Sequence, residues 1–399
     1  MPLSNTLETY GSVTKTFHWL TALLILSAFP IGYFAHEAPF SNSEELAQKA
    51  FLFSLHKTIG IAAFFTALLR IVWALRQIHP GLLNPEDKLE ATAAQTAHWL
   101  LYGSMLLVPF SGWVHHASTQ GFAPIWWPFG QNLPLIPKSE ALAQATSTLH
   151  FILILVLALT ILAHVGGALK HFVIDRDQTL QRMLPGNSSA PMPPKQDHSK
   201  RPLALALIIW MVALGLGAGT GAFRTTETAP VSAATLDQVT SDWQVQSGAL
   251  EITVAQFGTP VTGNFAEWTA DITFSKDAID NNHGNVKVTI SVGSLTLGSV
   301  TQQAMGFDYF NTAEFPTAEF NAEILAAAEG YVAQGTLTLR GVEMPVSLPF
   351  LLETDGKTAT MTGQTQISRM DFGIGANQPD EASLGFAVDI SVNLTAQRN

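Results

Sequence analysis

LHFILILVLALTILAHVGGAL, residues 149–169, contains no Asp, Glu, Lys or Arg. Its length matches the roughly 20 residues a helix needs to cross a bilayer. His150 and His164 lie in it, fourteen positions apart. At about 100° per residue, fourteen steps return a helix to nearly the same face, and at about 1.5 Å per residue the two rings stand about 21 Å apart. Both imidazoles then face one seam, one toward each bilayer surface. Ionisable groups in lipid are costly and usually functional, and imidazole is a strong haem ligand. The spacing predicts two haems stacked across a membrane.

Composition agrees with a membrane setting. Only 13% of the 399 residues are charged, against about 25% in a typical soluble protein, and the mean hydropathy is +0.23. Charge is unevenly divided. Residues 1–229 carry 14 basic and 12 acidic side chains, residues 230–399 carry 6 and 19. The two parts are therefore expected in different environments, and neither is basic enough for nucleic acid. There is no cysteine. That excludes disulfides, thiolate ligands, iron–sulfur clusters and covalent c-type haem. Any haem is b-type.

Five apolar stretches are long enough to span, at about 17–36, 52–75, 97–117, 149–171 and 203–223. The first has only Lys15 before it and no small-x-small cleavage site, so it reads as a retained span. Lys and Arg set the orientation. Lys170, Arg176, Arg182, Lys195, Lys200 and Arg201 crowd one connection, and Arg76 and Lys88 lie in another. The remaining loops have only Lys49 and Lys138. The basic loops are expected in the cytoplasm, which puts the N-terminus inside and residues 224–399 in the periplasm of a bacterial inner-membrane protein. Trp126, Trp127 and Phe129 then fall in an outer loop as interfacial anchors.

After about residue 235 the pattern changes to period two. Phe386, Val388, Ile390, Val392 and Leu394 alternate along FAVDISVNL, and VKVTISV (286–292) and GTLTL (335–339) behave alike. This predicts an antiparallel sheet or barrel of roughly eight strands. The expected fold is multidomain: a transmembrane four-helix bundle (1–185), a cytoplasmic linker (186–202), a fifth transmembrane helix (203–223), a periplasmic linker (224–239) and a C-terminal antiparallel β-barrel (240–399).

The topology sorts the histidines. His18 opens the first span and His164 closes the fourth, both toward the cytoplasm. His56 opens the second and His150 the fourth, both toward the periplasm. One His–His pair per leaflet results, His18 with His164 and His56 with His150. Two ligands per iron leave no open position, which favours electron transfer. His98 is placed to replace either inner ligand, and His115 and His116 to compete with His56. His36, His79, His198 and His283 read as solvated. Arg70 and Arg76 are candidates for haem propionates or lipid phosphates. Any single His near a span end is equally often an interfacial group.

FHWL (17–20), HKTIG (56–60), TAHWL (96–100), WWPFG (126–130), the His150–His164 spacing and RDQTLQRMLP (176–185) resemble the bacterial cytochrome b561 family over residues 8–185. The resemblance implies two b haems with His18, His56, His150 and His164 as axial ligands to iron, and electron exchange with ubiquinone. Some members are superoxide oxidases at the outer face. His171 matches a position associated with the quinone pocket, where a His near the cytoplasm could supply protons.

FGTPVTGNFAEW (257–268), FDYFNTAEFPTAEF (307–320) and GTLTLRGVEMPVSLPF (335–350) resemble the YceI family over residues 240–397. That implies a lipocalin-like barrel binding a long isoprenoid chain. VGSLTLGSVTQQAMG (292–306) stands where relatives often carry a more charged stretch. Phe257, Phe265, Trp268, Phe307, Phe310 and Phe320 are candidates to line its cavity; a solid aromatic core is the competing reading.

The expected function is membrane electron transfer between two b haems and ubiquinone or ubiquinol, with superoxide or a redox protein as further partner and an isoprenoid lipid in the barrel. Two other readings stay open: a quinone-linked cytochrome b subunit of a larger dehydrogenase, and an anchored lipid-binding module with no redox chemistry.

Overall fold

The computed structural model describes residues 2–119, 122–187, 190–194, 196, 199–224, 234–237, 239 and 241–398. His198, Lys195 and parts of the two expected linkers lie outside these. The chain forms two compact units, one helical and one β.

Five long helices build the first unit: α1 (Ser12–Glu37), α2 (Ser43–Ala74), α3 (Lys88–Ser118), α4 (Glu140–Lys170) and α5 (Arg201–Gly219). Each of the first four begins before its apolar stretch, because polar residues add turns at its start. Glu44 and Glu45 open α2, where acids complement the helix dipole. The Ser139 side chain caps α4 by accepting from the Leu142 N–H. The helices α1, α2, α4 and α5 are each long and apolar enough to cross a membrane. The polarity of α3 is higher because it buries Thr96, Ser104, Ser111 and Ser118.

The fifth helix is more than a tether. Ala206 on α5 is fully buried in one cluster with Leu100 of α3 and Val156 of α4, with Trp210 and Ala213 packed against it. Glycines permit the approach. A side chain at Gly103 would collide with the Trp210 ring, and one at Gly217 with Ile152. The Trp210 indole donates to Ser104 Oγ at 3.3 Å.

The β unit holds β1 (Trp243–Gln256), β2 (Thr259–Phe265), β3 (Trp268–Ile279), β4 (Asn282–Ser291), β5 (Leu295–Thr296), a short helix α6 (Thr301–Met305), β6 (Thr317–Ala326), β7 (Tyr331–Leu339), β8 (Val342–Thr354), β9 (Thr358–Ser368) and β10 (Leu384–Arg398). The described residues form ten strands, one of them only two residues long, where roughly eight were expected. All pair antiparallel, in the order β3-β4-β6-β7-β8-β9-β10-β1-β2-β5. The sheet curls until β3 comes beside β1. There Ser241 Oγ accepts from the Ile272 N–H at 2.6 Å, and the Trp243 indole donates to the Phe274 carbonyl at 3.3 Å.

Register places the apolar alternation on one face. Leu250, Ile252 and Val254 of β1 stand opposite Val392, Ile390 and Val388 of β10, and all six point into one cavity. Tight hairpins carry the strands round. Phe257-Gly258, Asp280-Asn281 and Arg340-Gly341 all have positive φ at both positions, as two-residue turns matching the strand twist require.

Candidate functional site

The His56 and His150 rings are prepared in the same way. His56 Nδ1 lies 2.9 Å from the Ala28 carbonyl of α1, and His150 Nδ1 lies 2.8 Å from the Val108 carbonyl of α3. A carbonyl only accepts, so Nδ1 carries the hydrogen and Nε2 keeps its lone pair. This is how an iron-ligating imidazole is held, the outer hydrogen bond fixing tautomer and ring angle. Four residues beyond each carbonyl stands a glycine. A Cβ at Gly32 would sit 2.7 Å from the His56 ring, and one at Gly112 would sit 3.0 Å from the His150 ring. A proline lies between carbonyl and glycine in both, Pro30 in α1 and Pro109 in α3. The two helices thus repeat one local device, Ala28-Phe29-Pro30-Ile31-Gly32 and Val108-Pro109-Phe110-Ser111-Gly112. His56 and His150 lie within electrostatic reach of each other. His115, the competitor, has its Nδ1 on the Ala143 carbonyl at 2.8 Å, and its ring stacks edgewise on His116 at 4.7 Å. Lys57 is buried beside His56.

Three histidines gather at the other end. The ring centroids of His18 and His164 are 6.3 Å apart, those of His98 and His164 5.2 Å. Two imidazole nitrogens about 2 Å from one metal, with the ring centre about 1 Å further on, put the centroids about 6 Å apart. That separation fits His18 and is too long for the His98 contact. His18 is prepared differently from the other rings, however. Arg70 Nη2 lies 3.2 Å from its Nδ1, and a guanidinium only donates. The hydrogen of a neutral His18 ring is then on Nε2, so binding iron there requires the Arg70 bond to yield. Two cations sit nearby, Arg70 half-buried and Arg182 buried. Arg70 stands over the Tyr102 ring, and Arg182 over Tyr10. Arg182 is 4% exposed and its Nε and Nη2 have no hydrogen-bond partner. Its segment is held to α1, where the Trp19 indole donates to the Met183 carbonyl at 2.9 Å and Lys15 Nζ to the Leu184 carbonyl at 2.8 Å. Arg76 is exposed.

His171 begins a π-turn, His171–Asp175, that continues α4. Such turns are rare and frequent at functional sites. Acids flank both of its ring nitrogens. Nε2 lies 3.0 Å from Glu90 Oε1, and Nδ1 lies 2.6 Å from Asp177 Oδ2 and 3.2 Å from Asp175 Oδ2. Lys170 bridges Glu90 and Asp175 at 2.5 and 2.9 Å. Burial pushes the Asp177 carboxyl up, but hydrogen bonds from Thr179 and His171 outweigh it and hold the group below the usual carboxylate range.

In the β unit a cavity of about 270 Å³ runs among the inward side chains. Phe265, Trp268, Phe310 and Phe320 line it. Two of the six expected aromatics do not. Phe257 is consumed by the β1–β2 turn, and Phe307 is 74% exposed. His283, expected in solvent, is half-exposed, and its ring packs against Phe274 and Tyr331 with Nδ1 2.9 Å from the Ser275 carbonyl. His36 and His79 are exposed.

The fold is a helical membrane unit with histidines gathered toward each end, joined to a hollow β unit. Residues 9–186 match the prokaryotic cytochrome b561 family and residues 235–396 the YceI-like domain. The chain is 32% identical over 203 residues to cytochrome b561 homolog 2 of Escherichia coli K12, covering 47% of this chain and 98% of that one. It is 25% identical over 177 residues to a probable superoxide oxidase, CybB, of Yersinia pestis, covering 44% of this chain and 96% of that one. Among solved structures it is similar to Burkholderia cenocepacia BcnA, with a TM-score of 0.35 and 28% identity over 38% of this chain and 96% of BcnA. The chain belongs to the prokaryotic cytochrome b561 family and carries a YceI-like domain after it. Membership implies b-type haem, and makes this a bacterial membrane protein.

The histidines were visible in the sequence; the devices that hold them were not. The signal available was the Pro-x-Gly and Pro-x-x-Gly spacing inside two apolar spans, which a hydropathy reading passes over. Arg182 and the polar groups of the cavity carried no such signal.

Proposed function

We propose that the helical unit carries electrons between a periplasmic donor and ubiquinone through two b haems, one held by His56 and His150, the other by His18 and His164. The observation that carries this reading is the shared preparation of His56 and His150, each with Nδ1 on a backbone carbonyl and Nε2 free. Haem b, when bound, supplies one-electron chemistry, and paired axial imidazoles leave no site for oxygen. Arg70 and Arg182 offer the cationic groups that propionates need, and His171 the proton-donating group for a quinone at the cytoplasmic end. Its carboxylate neighbours Glu90, Asp175 and Asp177 accept from its ring nitrogens and fix the ring's position.

Superoxide is the donor favoured by the similarity to a probable superoxide oxidase. The balance is simple: two superoxide anions give one electron each and leave as oxygen, while one ubiquinone takes both electrons and two protons. The acidic β half does not steer anions inward, so any cation that guides superoxide belongs to the helical unit. The β unit, on the periplasmic side, takes an isoprenoid lipid or quinone tail in its apolar cavity, beside the membrane pool that the haems serve.

The test is haem absorbance and reduction on purified full-length protein. A bis-His b-type spectrum with two components is expected, reducible by superoxide and by ubiquinol. His164→Ala should remove one component, and His56→Ala the other. A single component, or loss of both in His164→Ala with the protein still folded, would sink the two-pair assignment. An unsplit helical protein that retains no haem would leave only a membrane-anchored barrel.

A further inference from the structure

The cavity wall of the β unit is apolar except at one end, where four elements meet. Gln256 closes β1 opposite Leu384 of β10. Arg369 follows β9, and Gln303 and Tyr309 come from α6 and the turn after it. Contacts place the four together. Arg369 Nη2 reaches the Leu384 carbonyl at 3.0 Å, and a Cβ on Gly375 would touch both the Arg369 guanidinium and the Tyr309 ring. Gln303 Nε2 donates to the Tyr309 hydroxyl at 3.1 Å.

What each group has left to offer differs. Arg369 is 3% exposed and is the one charged side chain lining the cavity among the described residues. Its five N–H donors are already placed on five carbonyls. Nε bonds Gly385, Nη1 bonds Ile374 and Gly375, and Nη2 bonds Gln378 and Leu384, at 2.5 to 3.0 Å. The guanidinium therefore staples the 369–385 segment and has no hydrogen left for a ligand. Gln256 is 6% exposed, and its amide oxygen is buried with no partner. The Tyr309 oxygen accepts from Gln303, which leaves its own hydrogen to donate. The remaining polar lining, Thr365, is satisfied by the Ser347 carbonyl at 2.8 Å.

A buried polar atom without a partner costs free energy that a ligand group can recover. Here the open positions are an amide and a phenol, both neutral. A phosphate or diphosphate brought to this end would be a buried multiple charge with no free cationic donor. Building on the lipid-binding reading above, we infer that this cavity selects a prenyl lipid with a neutral hydroxyl head, a quinol or prenyl alcohol, whose O–H donates to the Gln256 amide oxygen and whose oxygen accepts from Tyr309.

Binding of labelled farnesol, farnesyl diphosphate, palmitate and squalene to the full-length protein in detergent, each corrected for retention by empty micelles, tests this. Farnesol should bind at least about tenfold tighter than the diphosphate or palmitate. Gln256→Leu and Tyr309→Phe should each weaken farnesol by about three- to tenfold, the range for one neutral hydrogen bond. Both variants should bind squalene as the parent does, which shows that the barrel is intact. Diphosphate or palmitate binding as tightly as farnesol, or farnesol affinity unmoved in both variants, overturns the head-group assignment alone. Absence of both farnesol and squalene binding in the parent overturns the lipid-binding reading itself.

Discussion

A histidine becomes an iron ligand only when one particular nitrogen is bare. At His56 and His150 a backbone carbonyl decides this by taking the Nδ1 hydrogen. Glycine then matters for the room it leaves. A methyl at Gly32 would sit 2.7 and 2.8 Å from two atoms of the His56 ring, closer than side chains tolerate, whereas one at Gly112 would sit 3.0 and 3.2 Å from His150. The His56 ring can escape only by giving up Ala28. Gly32→Ala should therefore lower occupancy of the haem at that end by about twofold or more, in line with the 10- to 100-fold affinity losses that follow disturbed outer partners of metal ligands, and Gly112→Ala should do less. Haem-to-protein ratio and the spectrum of the remaining component check both. Equal and undiminished occupancy would show that these carbonyls do not hold ligating rings. At this scale the sequence exposed the identity of the histidines but not their tautomers, because a tautomer is set by a partner on another helix.

The end of α4 illustrates the element scale. The α-helix gives way to a π-turn, and Arg176 closes it in the left-handed conformation with φ 53°. The turn sets His171 among Glu90 of α3, Asp175 and Asp177. Nothing in the hydropathy profile marks it, since a single extra residue per turn leaves the apolar run unbroken. The Asp177 carboxyl is held below its ordinary value, so its folded-state pKa is lower than its unfolded one. Its contribution to stability is complete above the unfolded value, about 4, and is lost as pH falls through the lower folded value. The gap in melting temperature between parent and Asp177→Asn should thus be constant from about pH 5 to 7 and close below about pH 4. A gap that persists unchanged at pH 3 would mean that Asp177 acts through packing and not through its charge.

On the scale of the whole molecule, the fifth helix decides where the haem unit ends. Hydropathy and the expected linker at 186–202 point to a four-helix unit complete by residue 185. The structure packs α5 on α3 and α4 through Ala206, Trp210, Gly103 and Gly217, and α3 and α4 carry His98, His115, His116, His150 and His164. Protein cut after residue 190 should accordingly lose haem during purification, while protein cut after residue 224 should keep it; the haem content of the two, measured side by side, checks this. Equal haem content would reduce α5 to an anchor for the β unit.

The sequence by itself determined the spans, the fourteen-residue His150–His164 seam, the absence of thiolate chemistry and the change to a period-two β region. These are legible because each depends on residue type and local period. It also named both families from short motifs. Only the tertiary structure decided which atoms are free. At His150 the bare nitrogen is Nε2, because Val108 on a neighbouring helix accepts the Nδ1 hydrogen and Gly112 leaves room for the ring. Four of six aromatic residues face the cavity, because a hairpin turn claims Phe257 and solvent claims Phe307. Arg369 is spent and Gln256 is open for the same reason. Hydrogen-bond satisfaction is settled by partners far apart in the chain, and no local pattern encodes it.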